Sequence, residues 1–80
     1  MRYQELKILE RTGLITDLQL EVWFDLIVNG MKICRYRADF TYRNKHGDTV
    51  VEDSKGMRTA EYKLKAKLML ACHGIRVIET

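Results

Sequence analysis

Residues 49–56 read Thr49-Val50-Val51-Glu52-Asp53-Ser54-Lys55-Gly56, a β-branched stretch that becomes charged and ends at a glycine. Valine and threonine favour extended backbone, so the stretch predicts a strand from Thr49 to Lys55. Because side chains alternate along a strand, Asp53 and Lys55 would share one face, while Glu52 would face the first helix or solvent on the other. This strand is therefore the first candidate site.

The elements around this strand are predicted from the period of the apolar residues and from the glycines. The predicted order is a helix over residues 2–12, strands over 17–28, 31–43 and 49–55, a helix over 59–72, and a last strand over 75–78. Asn29-Gly30 is typical of a hairpin turn, and a right-handed crossover would make the last strand parallel to residues 49–55. The predicted fold class is α/β, an α+β sandwich, in a single domain of residues 1–80.

Length and composition limit the class of protein. A core of 80 residues is marginal on its own, so we expect a homodimer. The formal net charge of +3 permits a polyanionic partner but does not require one. Cys34 and Cys72 lie outside any C-x-x-C motif, which argues against a zinc site and favours a reducing compartment. No apolar run reaches the roughly 18 residues of a membrane span, so we expect a cytoplasmic protein without a membrane partner.

A second acid precedes this strand in the sequence. Alternation over residues 36–42 puts Arg37, Asp39 and Thr41 on one face, and on the other Tyr36, Ala38, Phe40 and Tyr42. Asp39 would lie beside Asp53 if the register joins their faces. Neighbouring carboxylates repel unless a cation lies between them, and oxygen ligands favour Mg²⁺ or Mn²⁺. The alternative is that these acids only decorate a solvent-exposed sheet face.

Three segments resemble a known family. They are Tyr36-Arg37-Ala38-Asp39-Phe40-Thr41-Tyr42, Val50-Val51-Glu52-Asp53-Ser54-Lys55-Gly56 and Tyr62-Lys63-Leu64-Lys65. The sequence is similar, through nearly the whole chain, to small phage- and prophage-encoded proteins of the PD-(D/E)xK nuclease superfamily, which includes Holliday-junction resolvases. The resemblance implies a restriction-endonuclease-like core. It also implies a divalent-metal-dependent DNA endonuclease of recombination or replication, in the cytoplasm of a bacterial host, with structure-specific cutting as one option.

The resemblance assigns roles to individual residues. Asp39 matches the first superfamily acid, Asp53 the second and Lys55 the motif lysine, and the Ser54 carbonyl would be a further ligand of Mg²⁺ or Mn²⁺. Lys63 falls where the second helix offers a basic residue to DNA. The predicted DNA-binding residues, expected to follow phosphates and not to read bases, are Arg37, Arg58, Lys63 and Lys67. Trp23, the single tryptophan, is interpreted as a core or interface residue and not as a base-stacking platform.

Two departures from the family pattern leave other functions open. Family members carry a glutamate ahead of the Arg-Tyr pair, for which Glu5 is the nearest substitute here. Glu21 stands where the family usually has glutamine, so it could add a metal ligand or only charge repulsion. One alternative is a catalytically weakened nuclease-fold module that binds DNA or a protein partner without cutting. Another is an inhibitor of a host system.

Overall fold

A mixed four-stranded sheet and two helices make up the fold, in a computed structural model that describes residues 1–54 and 58–80. The elements are α1 (Arg2–Arg11), β1 (Ile15–Val28), β2 (Met31–Asn44), β3 (Thr49–Asp53), α2 (Ala60–His73) and β4 (Ile78–Glu79). Strands β1, β2 and β3 form an antiparallel meander, and β4 pairs parallel to β3. The predicted element order and the parallel last strand are confirmed. Within the described ranges, no helix is long and apolar enough to cross a membrane.

Local sequence signals set the ends of the elements. Asn29 and Gly30 take φ angles of 51° and 77° in the turn between β1 and β2, as the Asn-Gly pattern predicts. Thr59 caps α2, because its Oγ1 accepts a hydrogen bond from the Tyr62 N–H at 3.1 Å. Gly74 ends the same helix with a φ of 68°. Turn and cap chemistry therefore fixes both the hairpin and α2.

The last strand is shorter than predicted and begins later. It covers only Ile78–Glu79, whereas the apolar pattern predicted a strand over 75–78. Ile75 donates its N–H to the Met69 carbonyl at 3.5 Å as α2 ends, and Ile75 and Val77 pack against the core. Their apolar character thus reflects burial beside α2 and not strand pairing.

Two buried clusters lie on opposite faces of the sheet. The α2 core consists of Leu26, Tyr36, Ala38, Val51, Tyr62 and Met69. The α1 core consists of Leu6, Ile15 and Tyr42. Val51 belongs to the α2 core, whereas Val50 packs against the α1 core. Because consecutive residues of a strand point to opposite faces, the two helices cover opposite sides of β3.

Strand β2 contributes to both cores. Tyr36 and Ala38 lie in the α2 core, but Tyr42 lies in the α1 core with Phe40 packed against it. The prediction that these four residues share one face was wrong. The regular pattern is interrupted opposite this point, where Glu21 of β1 takes a left-handed φ of 53°. Asp39 therefore lies where β2 passes from one core to the other.

Candidate active site

The candidate site lies at the end of β3, where Asp39 and Asp53 meet. The β2–β3 ladder ends at the pair Phe40–Glu52, and Asp39 and Asp53 are the next residue of each strand beyond that pair. Oδ2 of Asp39 accepts a hydrogen bond from the Ser54 N–H at 2.8 Å. The structure thus brings together Asp39, Asp53 and Ser54, which the sequence analysis assigned to one site.

The Asp53 carboxylate is buried, with 0% of the residue exposed. Its Oδ2 accepts a hydrogen bond from the Tyr36 hydroxyl. Burial, then this hydrogen bond and the charge of Asp53, raise the pKa of Tyr36 far above its usual value. The hydroxyl therefore remains a proton donor at neutral pH. The Asp53 carboxylate is buried and hydrogen-bonded. The alternative that Asp53 lies on a solvent-exposed face of the sheet is therefore wrong.

Strand β4 and the residues beside it complete the surroundings of the site. The Thr80 N–H donates to the Asp53 carbonyl at 3.1 Å, and the Ser54 and Thr80 hydroxyls lie 3.1 Å apart. Nε of Arg58 lies 3.0 Å from Oε2 of Glu79. Sequence reasoning missed Glu79 and Thr80, because a strand of two residues has no periodic pattern.

The Tyr62 phenol of α2 lies among the acids of three strands. Burial raises the pKa of Tyr62, and the charges of Glu79, Asp53 and Asp39 raise it further, while Arg58 opposes them. Carboxylates from β2, β3 and β4 therefore act on one buried phenol. Aspartates alone were singled out in the sequence, and the tyrosines that surround them were assigned only to strands or helices.

The carboxylate next to Asp53 in sequence, Glu52, faces the α1 side. Glu52 is 1% exposed, and Nε and Nη2 of Arg2 donate to its two oxygens at 2.7 Å each. The Tyr42 hydroxyl donates a third hydrogen bond. Burial by itself would raise the pKa of Glu52, but the hydrogen bonds from Arg2 and Tyr42 hold it below its usual value. The sequence analysis left open whether Glu52 faces the first helix or solvent. In the structure Glu52 faces the first helix.

The family of the chain follows from its sequence over most of its length. The family described as "Protein of unknown function (DUF1064)" matches residues 1–74. The chain belongs to this family. No curated protein and no solved structure gives a significant match. The match to DUF1064 includes Asp39, Asp53 and Lys55, and it ends before β4.

The further candidate metal ligands of this DUF1064 protein are two exposed glutamates. Glu5 is exposed on α1 and Glu21 is exposed on β1, with Oε1 of Glu21 4.0 Å from Nη1 of Arg37. Across residues 1–54 and 58–80, no group of three or more His, Cys, Asp or Glu side chains could hold a metal ion. The structure therefore does not bring Glu5 or Glu21 into such a cluster with Asp39 and Asp53.

Two neighbouring carboxylates are nevertheless a donor set that suits a small hard cation. Mg²⁺ commonly uses one or two protein carboxylates and takes its other ligands from water and substrate phosphates. The residues that would hold Mg²⁺ or Mn²⁺ are Asp39 and Asp53, with the Ser54 carbonyl as the predicted backbone ligand. Lys55, the predicted motif lysine, lies outside the described residues.

Three of the four predicted DNA-binding residues line one cavity. This cavity, the basic groove, has a volume of about 310 Å³ and is lined by Arg58, Lys63 and Lys67 together with Arg76. Tyr62 and Glu79 also line it, so the groove adjoins the acidic site. Sequence reasoning missed Arg76, because it lies in the irregular segment between α2 and β4, where no periodic pattern marks a face.

The fourth predicted DNA-binding residue, Arg37, lines a different cavity. The Trp23 cavity has a volume of about 300 Å³ and includes Trp23, Tyr36, Arg37 and Tyr62 in its lining. Trp23 is 53% exposed, so it is not a core residue, and its interpretation as an interface residue stays a prediction. Tyr62 borders both this cavity and the basic groove, which places the two cavities side by side along α2.

Proposed function

We propose that this DUF1064 protein is a divalent-metal-dependent DNA endonuclease of the PD-(D/E)xK type, with a restriction-endonuclease-like core. The observation that supports the proposal most is the hydrogen bond from the Ser54 N–H to Asp39, which brings Asp39 to the residue next to buried Asp53, beside a groove lined by basic residues. Paired carboxylates next to positive charge suit the hydrolysis of a phosphodiester. The resemblance to phage and prophage nucleases points to a role in recombination or replication.

Each part of the site has a role in this proposal. Asp39 and Asp53 hold Mg²⁺ or Mn²⁺, which when bound polarises the phosphate and stabilises negative charge on its oxygens. The Tyr36 hydroxyl keeps Asp53 in position through its hydrogen bond. Lys55 remains the predicted residue that orients the attacking water or neutralises the phosphate. The basic groove binds the DNA backbone without reading its bases.

Cleavage assays with branched and linear DNA test the proposal directly. We expect cutting with Mg²⁺ or Mn²⁺ and none with EDTA. Asp53→Asn and Asp39→Asn should each lower the cleavage rate by roughly 100-fold or more, because each removes a ligand charge. Lys55→Met should lower cutting while DNA binding persists. Asp48→Asn is the matched control, since Asp48 is an exposed acid in the turn before β3, and it should cut at the wild-type rate.

The outcomes separate an endonuclease from the alternatives. Absence of cutting with both metals, or cutting that survives Asp53→Asn, would overturn the proposal. DNA binding of equal strength with metal and with EDTA, without any cutting, would support the nuclease-fold module that only binds. An inhibitor of a host system would keep its activity in Asp39→Asn.

A further inference from the structure

Trp23 has an environment that the proposed cleavage chemistry does not use. Its side chain projects from β1 and is 53% exposed, which is an unfavourable position for a large aromatic residue that only fills space. The guanidinium carbon of Arg35 lies 4.4 Å from the centroid of the Trp23 ring, and that of Arg37 lies 5.9 Å from it. Both distances are within the range of cation–π contacts. The indole is thus partly exposed, and the positive charges of Arg35 and Arg37 lie over its ring.

The Trp23 cavity adjoins the candidate active site through its tyrosines. Tyr36 lines the cavity, and its hydroxyl donates to Asp53. Tyr62 lines the cavity and also the basic groove. A nucleic-acid strand that follows the basic groove can therefore place one nucleotide beside Trp23 while a phosphate remains near the two aspartates.

We propose that the Trp23 cavity binds an unpaired DNA base, which stacks on the indole while Arg35 and Arg37 attract the neighbouring phosphates. A base within a duplex is already stacked on both sides, so this site selects DNA with single-stranded or branched character. The cavity volume of about 300 Å³ is at the lower end of small-ligand sites, which suits one planar ring system. The inference rests on the proposed function, because it names the class of DNA that the same site takes.

Binding measurements in EDTA test this inference without cleavage. The probes are a labelled oligothymidylate of about twelve nucleotides, within the range of single-strand site sizes, and an oligonucleotide of equal length whose central nucleotides are abasic. The two carry equal numbers of phosphates and differ only in bases. Because Trp23 is the single tryptophan, intrinsic fluorescence reports on this side chain alone. We expect the oligothymidylate to quench it and the abasic probe to bind more weakly with little quenching.

Two variants complete the test. Trp23→Ala should weaken binding of the oligothymidylate by roughly 5- to 150-fold, the range for loss of one stacked base, and leave binding of the abasic probe unchanged. Trp23→Phe keeps an aromatic face and should recover much of the affinity. Equal affinity of the wild-type protein for both probes, or an equal loss for both in Trp23→Ala, would overturn the inference.

The failure of the stacking site and the failure of the nuclease proposal give different results. Metal-dependent cutting together with equal binding of both probes leaves the nuclease proposal standing and removes the stacking site. Base-dependent quenching without cutting under either metal supports the stacking site and removes the nuclease proposal.

Discussion

Glu52 shows how a buried carboxylate outside the proposed reaction shapes the molecule. Its oxygens receive two hydrogen bonds from Arg2 and one from Tyr42, so the ionised form is well satisfied despite its burial. Arg2 begins α1, and Glu52 belongs to β3. This ion pair therefore anchors the start of α1 to the centre of the sheet.

The ion pair makes stability depend on pH in the acid range. The pKa of Glu52 is lower in the folded than in the unfolded chain, so its contribution is present above the unfolded pKa and is lost as the pH falls through the folded pKa. Glu52→Gln should lower the free energy of unfolding by about 2–4 kcal/mol at neutral pH, since it breaks a buried pair. Urea denaturation in EDTA measures the free energy of unfolding of both proteins. The difference between Glu52→Gln and wild type should shrink below about pH 4.

Glu61→Gln is the control for this prediction. Glu61 is 76% exposed in its pair with Lys65, and exposed pairs contribute little to stability. It should denature like wild type at every pH. A gap between Glu52→Gln and wild type that stays constant down to about pH 3 would contradict the assigned role of the Glu52 carboxylate.

At the scale of single residues, sequence reasoning located Asp39, Asp53 and Ser54 but not the tyrosine that donates a hydrogen bond to Asp53. The strand pattern placed Asp53 on a face that also carries Val51, and the family resemblance assigned both acids to one site. Tyr36 and Tyr42 did not stand out, since their hydroxyls matter only after the strands pair. Arg2 and Glu52 are 50 positions apart, and no local pattern connects residues at that separation.

At the scale of elements, α2 packs on the sheet and, in the proposed function, also faces the DNA. Tyr62 and Met69 bury one side of it in the α2 core, and Lys63 and Lys67 line the basic groove on another. Lysines one turn apart along an exposed face match the repeated charge of a nucleic-acid backbone. The packed side of α2 therefore fixes the backbone that carries Lys63 and Lys67.

Removing two of these charges should change the salt dependence of DNA binding. For the double variant Lys63→Gln with Lys67→Gln, we expect the slope of log K against log salt to fall by roughly 2 for duplex DNA, near 0.9 per lost phosphate contact. Fluorescence anisotropy over a salt series measures the slope. The matched control, Lys7→Gln with Lys45→Gln, removes the same charge from exposed positions on α1 and the β2–β3 turn. Equal slopes for the two double variants would place the DNA elsewhere.

Strand order was predictable from the sequence, whereas the path of β2 was not. Turn residues and β-branched stretches mark where strands begin and end, and these signals are local. The change of face in β2 lies opposite Glu21 of the neighbouring strand, which takes a left-handed φ of 53°. Glutamate rarely adopts that conformation, so a pattern based on side-chain type predicts regular alternation.

At the scale of the whole molecule, the small size of the chain bears on its assembly. Each of the two cores contains few fully buried side chains, and large apolar residues of the β1–β2 hairpin remain exposed. These residues are Leu20, Ile27, Val28, Met31 and Ile33. Exposed apolar residues of this size can contribute to an association site.

We predict a homodimer in solution at micromolar concentration. A small core gains stability from association, and a nuclease of the proposed kind would have two strands to cut. Sedimentation velocity over a dilution series should show a dimer that dissociates as the protein is diluted, by mass action. A monomer at every concentration tested would contradict this prediction.

The consecutive residues Glu52 and Asp53 have a mechanical consequence. One is held from the α1 side by Arg2 and Tyr42, and the other from the α2 side by Tyr36. Because hydrogen bonds hold side chains on both of its faces, β3 resists rotation about its own long axis. Rotation of the strand would break hydrogen bonds on both sides at once, so the Asp53 carboxylate keeps its direction through thermal motion.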